Sequence, residues 1–155
     1  MKDKEGIDFD IEKSAGFLLA KCHQKGLQIF REKLLPHNLT PPQFATLAFL
    51  WKKDGQSQIQ LGTTMEMDRT TISGIIDRLE NQGLVNRRQH LEDRRVFMIH
   101  LTEDGRKLEQ VLSLLSLEAN KELTLNLSAE ERETFLTLLK KIRGELNAKQ
   151  DRGSC

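Results

Sequence analysis

The chain has 155 residues, of which 37% are hydrophobic and 30% charged, and its formal net charge is +1. This length is typical of a single domain, or of one core with an added element, and it suffices for a hydrophobic core without disulfides or metals. No stretch approaches the roughly 18 apolar residues of a membrane span, the first residues do not form a signal peptide, and Cys22 and Cys155 form neither a disulfide framework nor a metal-binding pair. We therefore expect a soluble, cytoplasmic protein without a metal or other cofactor.

Positive charge is distributed unevenly along the chain. All thirteen lysines lie at positions 2–53 or 107–149, and the positive charge between Asp54 and Arg106 is all arginine. A guanidinium group can contact a phosphate or a guanine through two nitrogens at once. Acidic residues are interspersed in the same segment, so a surface of salt bridges is the alternative, and charge alone leaves both interpretations open.

Helix signals punctuate the first half of the chain. Apolar residues from about 10 to 35 recur at spacings of three and four, which predicts one long amphipathic helix ending before Pro36. Thr40-Pro41-Pro42-Gln43 is a capping box with proline in the first turn, and it predicts a second helix that ends near Asp54-Gly55. Ser57-Gln58-Ile59-Gln60 repeats the box and opens a short third helix to about residue 66.

A fourth helix is predicted between Asp68, a good N-cap, and Gly83, a good C-terminal stop. Its apolar residues follow helical spacing, so one face should be buried: Ile72, Ile75, Ile76 and Leu79. The opposite face is small and polar and is flanked by two arginines, whereas a face chosen for solubility alone would more often carry Glu and Lys. This candidate binding face comprises Thr70, Ser73, Gly74 and Asp77, flanked by Arg69 and Arg78.

The period then changes from 3.6 to 2. Residues 84–89 and 95–101 are predicted to be strands, with a charged hairpin tip at 90–94 between them. Thr102 is predicted to cap a fifth helix of about 23 residues, and Ser128-Ala129-Glu130-Glu131 opens a last helix before a polar tail after Asn147. The predicted fold class is mainly α with a small β-hairpin, arranged as a winged helix-turn-helix core with flanking long helices. Such a core places one helix in the DNA major groove.

Six short stretches carry a more specific pattern: Leu39-Thr40-Pro41-Pro42-Gln43-Phe44, Asp68-Arg69-Thr70-Thr71-Ile72-Ser73, Ile76-Asp77-Arg78-Leu79-Glu80, Gly83-Leu84-Val85, Asp93-Arg94-Arg95 and Leu101-Thr102-Glu103-Asp104-Gly105. Together they resemble the MarR family of transcriptional regulators. The core of the resemblance covers roughly residues 39 to 108. Its most specific element is the Asp-x-Arg wing followed by Leu-Thr.

The resemblance implies a homodimer on a palindromic operator. Residues 1–38 would form the N-terminal dimerisation helix, residues 39–102 the winged helix-turn-helix DNA-binding domain, and residues 103–155 the C-terminal dimerisation helices and a frayed tail. The apolar stripes of the terminal segments support this independently, because a compact winged-helix core has no place for them. An ordinary helical subdomain of a monomer is the alternative. The implied function is a sequence-specific, double-stranded DNA-binding repressor that a small-molecule effector, such as an aromatic acid or a derivative, releases.

The resemblance also assigns roles to the wing. Asp93 orients it, Arg94 contacts a phosphate and Arg95 enters the minor groove, whereas a purely structural ion pair at the hairpin tip is the alternative. On the fourth helix, Arg78 has the option of pairing with Asp77 or Glu80 instead of DNA. The predicted DNA-binding residues are Arg69, Thr70, Thr71, Ser73, Arg78, Arg94 and Arg95.

The effector pocket of the family lies where the dimerisation and DNA-binding domains join. In this chain the pocket would be lined by His23 and by aromatic side chains. The alternative interpretation is that these aromatic side chains belong to the ordinary hydrophobic core. The predicted lining is Phe17, His23, Phe44, Phe49 and Trp51.

Two alternative functions also have to be considered. Some family members sense peroxide through a first-helix cysteine, so a thiol-based redox-responsive regulator acting through Cys22 is one alternative. Cys22 lies on the apolar stripe, however, and the chain contains no tyrosine to supply the pair that assists those relatives, which favours a buried and inert thiol. A winged-helix module for protein–protein interaction is a second alternative. The sequence contains no motif of catalysis and no metal-ligand spacing among its histidines, so we expect no enzyme.

Overall fold

The computed structural model describes residues 9–144. The chain divides into two compact units, one ending at Ala119 and the other beginning at Asn120, and each is described by itself. Within the described range, no helix combines the length and the apolarity that crossing a membrane requires. The predicted polar tail after Asn147 and the second cysteine, Cys155, lie outside the described residues.

The fold is mainly α with one small sheet, as the sequence predicts. Short 3-10 turns at Ile11–Lys13 and Leu35–His37 lie on either side of the first helix. The helices are α1 (Ala15–Leu34), α2 (Pro41–Lys52), α3 (Gln58–Thr64), α4 (Arg69–Asn81), α5 (Glu103–Lys107), α6 (Glu109–Leu123) and α7 (Ala129–Ile142). The strands are β1 (Gln56–Ser57), β2 (Val85–Gln89) and β3 (Phe97–Leu101).

The helices begin where their caps predict. Complete capping boxes open α2, α3 and α7, with a Thr or Ser hydroxyl accepting a backbone N–H and a Gln or Glu side chain accepting the reciprocal one. At the starts of α4 and α5, the side chains of Asp68 and Thr102 accept the backbone N–H of the third helical residue, without a reciprocal Gln or Glu. Gly83 has a φ of +71°, a left-handed conformation that suits glycine, just after the end of α4.

The core of the first unit lies where α2, α3, α4 and the sheet meet. The four apolar residues predicted for the buried face of α4 are all buried, which confirms that face. They pack in one cluster with side chains of α2, α3 and β3, among them Leu47, Leu50, Leu61 and Ile99, each fully buried. The hydrophobic packing of α4 is therefore on the side opposite its polar face.

The sheet has three antiparallel strands in the order β1-β3-β2, where the sequence predicted two. β1 contains only two residues, which is too short for an alternating pattern to reveal it. The second predicted strand begins at Phe97 and not at Arg95, because the Val96 N–H turns back to donate to the Asp93 carbonyl. Phe97 is 41% exposed and extends beyond the core that buries Ile99 and Leu101.

The prediction of one fifth helix of about 23 residues is wrong, because α5 and α6 are separated at Leu108. The Trp51 indole Nε1–H donates to the Gly105 carbonyl at 2.9 Å. In a continuous helix that carbonyl would accept the N–H of residue 109, so the indole competes with the helical bond. The first helix is also shorter than predicted, since Ser14 caps α1 after a separate 3-10 turn. The third ends at Thr64, two residues before Glu66 takes a positive φ of 53°.

Asp54 connects the end of α2 to the sheet and to α5. One carboxylate oxygen accepts the N–H groups of Gly55 and Leu101, each at 2.9 Å, and the other accepts Arg106 Nη2 at 2.7 Å. Partial burial raises the pKa of Asp54, but these donors outweigh it and hold the pKa below its ordinary value. The base of the wing is thereby fixed to the helix that follows it.

The predicted stripe of the fifth helix is mostly buried or half-buried, but the flanking helices still expose large apolar residues in the single chain. In the first unit these residues include Leu18 and Leu19 of α1 and Leu114 and Leu117 of α6; in the second they include Leu136, Leu138 and Ile142 of α7. Cys22 of α1 is also exposed. The prediction of a buried thiol is therefore wrong for this chain alone.

Candidate nucleic-acid interface

The polar face of α4 is presented to solvent as predicted. Arg69, Thr70 and Arg78 are exposed, while Ser73 and Gly74 are partly exposed. This face is the opposite side of the helix from the four residues buried in the core. The packing of the buried face therefore leaves the side chains of the polar face accessible to solvent.

Thr71 belongs to the cap of α4. Its N–H and its hydroxyl donate to the two carboxylate oxygens of Asp68 at 2.7 and 2.9 Å. The backbone N–H of Thr71 is the main reason that the pKa of Asp68 lies below its ordinary value. Asp68 is consequently ionised at neutral pH and keeps the first turn of α4 closed.

The wing places an arginine in a defined orientation in solvent. Arg95 Nε and Nη2 donate to the Asp93 carboxylate at 3.1 and 3.3 Å, and the Arg95 backbone N–H donates to the same group at 3.0 Å. The Arg95 side chain holds the pKa of Asp93 below its usual value, although that side chain is itself 91% exposed. The structure thus contains the ion pair that the sequence offered as the alternative role for Asp93 and Arg95. Arg94, beside it, is also exposed.

Local hydrogen bonds close the tip of the wing. His90 Nδ1 accepts the N–H groups of Glu92 and Asp93 at 3.2 and 3.4 Å. The His90 N–H donates to the Val96 carbonyl at 2.9 Å. The tip therefore uses a histidine as a structural acceptor. Residues 9–144 contain no cluster of three His, Cys, Asp or Glu side chains able to hold a metal ion.

A cleft of about 830 Å³ lies between the wing and the helices α3 and α4. It brings Arg69 of α4 and the Asp93–Arg95 pair of the wing, which the sequence places 24 or more residues apart, to the two sides of one opening. The rest of its lining is largely apolar and comprises Gln58, Ile59, Gly62, Thr63, Glu66, Met67, Ile72, Val96 and Phe97.

The five predicted effector-pocket residues lie elsewhere in the first unit, on two helices. On α2, Phe44 and Trp51 pack edge to face with ring centroids 6.0 Å apart, and Phe49 is partly buried against the core. On α1, the Lys21 ammonium lies 5.4 Å from the centroid of the half-buried Phe17 ring, and His23 is exposed. The structure therefore brings Phe44 and Trp51 into contact as core residues.

Sequence reasoning did not single out Arg87, which lies beside the candidate interface. Its guanidinium group, on β2, pairs with Asp77 and Glu80 of α4. These are the two acids that the sequence offered to Arg78 as alternative partners, and Arg78 itself is exposed. The only sequence signal for Arg87 was that it lies in a segment with arginine and no lysine. Its pairing with Asp77 and Glu80 could not be predicted, because these acids lie ten and seven residues away on another element and follow no local pattern.

Comparison with known proteins agrees with this architecture. A family model described as the MarR family matches residues 39–97. The transcriptional repressor NicR of Pseudomonas putida is 32% identical over 138 residues, which cover 89% of this chain and 87% of NicR. A structure of BpsR from Bordetella bronchiseptica, described with the regulation of its DNA binding by 6-hydroxynicotinic acid, has a TM-score of 0.82 and 26% identity over 87% of this chain and 96% of that one.

A mutant of MarR from Escherichia coli, solved in complex with operator DNA, has a TM-score of 0.79 and 29% identity, and the match covers 88% of this chain and 99% of that one. The MarR-like stretches lie on α2, α4, the wing and α5, and the fold orders these elements as the solved relatives do. Because a relative above 30% identity is matched over nearly its whole length, this chain belongs to the MarR family, whose members are transcriptional regulators and not enzymes.

Proposed function

We propose that the chain is a homodimeric repressor that binds palindromic operator DNA and is released by a small-molecule effector. The observation that carries the proposal is the cleft that separates an exposed polar helix face from an exposed, oriented wing arginine. A major groove about 12 Å wide accepts a helix, and the adjacent minor groove accepts an arginine. MarR from Escherichia coli, similar to this chain, was solved with operator DNA.

Each predicted contact has a distinct role in the proposed complex. Thr70 and Ser73 face base edges, while Arg69 and Arg78 on either side contact bases or phosphates. Thr71 and the first turn of α4 lie near the backbone. In the wing, Arg94 contacts a phosphate, and Arg95, held by Asp93, enters the minor groove. This division lets the phosphate contacts set the register and the base contacts set the sequence.

A dimer explains the exposed leucines of the flanking helices. Soluble monomers rarely expose large contiguous apolar patches, and α1, α6 and α7 each leave several leucines or isoleucines in solvent. We place dimerisation in residues 1–38 and 103–155 and DNA binding in residues 39–102. Two recognition helices about 34–36 Å apart then meet successive major grooves of a palindrome on the same side of the duplex.

For the effector we propose a small aromatic acid. NicR is named a repressor, and BpsR is described as regulated by 6-hydroxynicotinic acid, which is itself an aromatic acid. An effector that binds one dimer geometry better than the other shifts the population toward it. When that geometry separates the two recognition helices to a spacing that no longer fits the grooves, the DNA is released. Such a regulator works in the cytoplasm, where the chromosome lies.

Binding to DNA upstream of its own gene tests the proposal. We expect a Kd of about 10⁻⁸ M or lower at physiological salt, at least about 1,000-fold tighter than for unrelated DNA, with two chains bound per site. The affinity should fall steeply between two salt concentrations, since phosphate contacts release counterions. Mobility shift with excess competitor DNA measures the preference. Equal, weak binding to both DNAs contradicts the proposal and favours the protein–protein interaction module.

A thermal-shift panel of phenolic, benzoic and pyridine carboxylic acids tests the effector. A ligand that binds only the folded protein at 100 times its Kd adds about 2.7 kcal/mol of stability, so at least one member should raise Tm by several degrees. Loss of that shift in His23→Ala supports the predicted pocket, whereas loss in Phe97→Ala supports the cleft beside the wing. No shift from any acid contradicts the aromatic-acid part and leaves operator binding unaffected.

A further inference from the structure

The guanidinium group of Arg87 binds two helices from its position on β2. Nη1 donates to Glu80 Oε2 at 2.9 Å and also pairs with Asp77. Nη2 donates to the carbonyl and the hydroxyl oxygen of Ser73, at 3.1 and 3.4 Å. Nε donates to Gln58 Oε1 of α3 at 3.4 Å, and the Arg87 backbone N–H donates to Glu80 Oε1 at 3.0 Å. We call this set of contacts the Arg87 clamp.

The clamp depends on the shape of arginine and not only on its charge. The side chain is 17% exposed, so its donors are satisfied mainly by protein groups. A planar guanidinium presents five N–H donors in a fixed fork, whereas a lysine ammonium is a compact charge with three donors at one atom. Lysine at this position reaches one acid but cannot hold Ser73, Glu80 and Gln58 at the same time.

The clamp also offsets part of the negative charge of Asp77 and Glu80 on the side of α4 that is proposed to meet DNA. Asp77 follows Ser73 by one helical turn and shares its face, and its side chain is 56% exposed. An unpaired carboxylate at this place would repel phosphates. The guanidinium, paired with both Asp77 and Glu80, offsets that repulsion without itself reaching into solvent.

The bond to Ser73 sets the role of its hydroxyl. A guanidinium has no acceptor, so in the contact with Arg87 Nη2 the Ser73 oxygen accepts. The hydroxyl proton is then left to donate to an acceptor on a base edge, such as N7 or O6 of guanine. The bond to the Ser73 carbonyl fixes that turn of α4 relative to the wing strand.

We propose that Arg87 is a positioning residue for sequence recognition: it fixes the recognition helix against the wing strand and α3, and it presents Ser73 as a donor to the base edges. This inference rests on the proposed function of operator binding. Arg87 touches no DNA in this account and acts through Ser73, Asp77 and Glu80. Its signature is a loss of discrimination between operator and unrelated DNA, beyond any loss of overall affinity.

The test compares Arg87→Gln and Arg87→Lys with Arg88→Gln, which removes the same charge from the next, exposed residue of the same strand. For each dimer, the affinity for operator and for unrelated DNA is measured at fixed salt. We expect Arg87→Gln to lower the ratio of the two affinities at least tenfold and Arg87→Lys not to restore it. Arg88→Gln should change both affinities by the same factor. Adding Asp77→Asn to Arg87→Gln should recover overall affinity but not the ratio.

Two results overturn the inference. A purely structural role lowers both affinities together, so an unchanged ratio in Arg87→Gln contradicts it, as does full restoration of the ratio by lysine. Hydrogen exchange on the free protein gives a readout that needs no DNA: the amide of residue 87 should exchange at least tenfold faster in Arg87→Gln and not in Arg88→Gln. If the wild-type protein binds operator DNA no better than unrelated DNA, the proposed function is contradicted. The hydrogen-exchange result then still decides whether the Arg87 clamp exists.

Discussion

Replacing Arg95 with alanine should weaken operator binding about 10- to 100-fold while Tm stays close to the wild-type value. The side chain is 91% exposed and its described partner is Asp93, so the folded state loses little when it is removed. The proposed complex with DNA would lose the contact of Arg95 in the minor groove and one positive charge that balances phosphate charge. Fluorescence anisotropy with labelled operator at fixed salt measures the affinity, and a melting curve measures the stability.

Lys25→Ala is the matched control for this prediction. It removes one exposed positive charge from α1, which has no assigned contact with DNA. We expect its operator affinity to stay within about twofold of the wild type, because a single charge distant from the duplex is screened at physiological salt. If Arg95→Ala binds as tightly as Lys25→Ala, the wing does not contact DNA, and a protein partner becomes the better explanation for its exposed arginines.

Replacing Gly105 with alanine should destabilise the protein by about 3 kcal/mol or more. A Cβ at this position would lie 2.1 Å from the backbone carbonyl oxygen of Leu84, which already accepts the Thr102 N–H. Relief of that clash requires the start of β2 to move away from α5, and the Trp51 bond to the Gly105 carbonyl moves with it. Chemical denaturation at one fixed protein concentration measures the loss, because dimerisation couples stability to concentration.

Gly74→Ala is the control for the glycine effect itself. No atom lies within 4 Å of a Cβ built on Gly74, which is within α4. Alanine there should stabilise the protein by about 0.5–1 kcal/mol, since glycine is the poorer helix former. A Gly105→Ala protein as stable as the wild type would show that the junction of β2 and α5 yields easily, contrary to the packing described above.

The features of this fold that could be predicted from the sequence are those formed by residues close together in the chain. Each capping box lies within four residues, so the starts of α2, α3 and α7 follow from the sequence alone. The Asp93–Arg95 pair is predictable for the same reason. The separation of α5 from α6 is not, because its cause is an indole 54 residues away in the chain. β1 and the Arg87 clamp likewise depend on contacts between elements that sequence spacing does not reveal.

Apolar periodicity predicts a buried face but not what covers it. On α4 the prediction was confirmed, because the covering elements belong to the same chain. On α1 the same kind of stripe leaves Leu18, Leu19 and Cys22 exposed, and the inference of a buried thiol was wrong for the single chain. A stripe therefore predicts contact with some apolar partner, and only the fold shows whether that partner is within the chain.

The way α4 is held has a consequence for how such a regulator acquires new target genes. Its N-cap and its four buried side chains keep the helix in place without any contribution from the side chains at positions 70, 74 and 78. If α4 meets the groove as proposed, mutations at 70, 74 and 78 would alter the preferred DNA sequence at little expense to folding, and a duplicated copy could acquire another promoter through them. The side chains of Ser73 and Asp77 contact Arg87, so a change at either position also alters the Arg87 clamp. Under this proposal, positions 70, 74 and 78 of the helix can change one at a time, whereas changes at 73, 77 and 87 are coupled to one another.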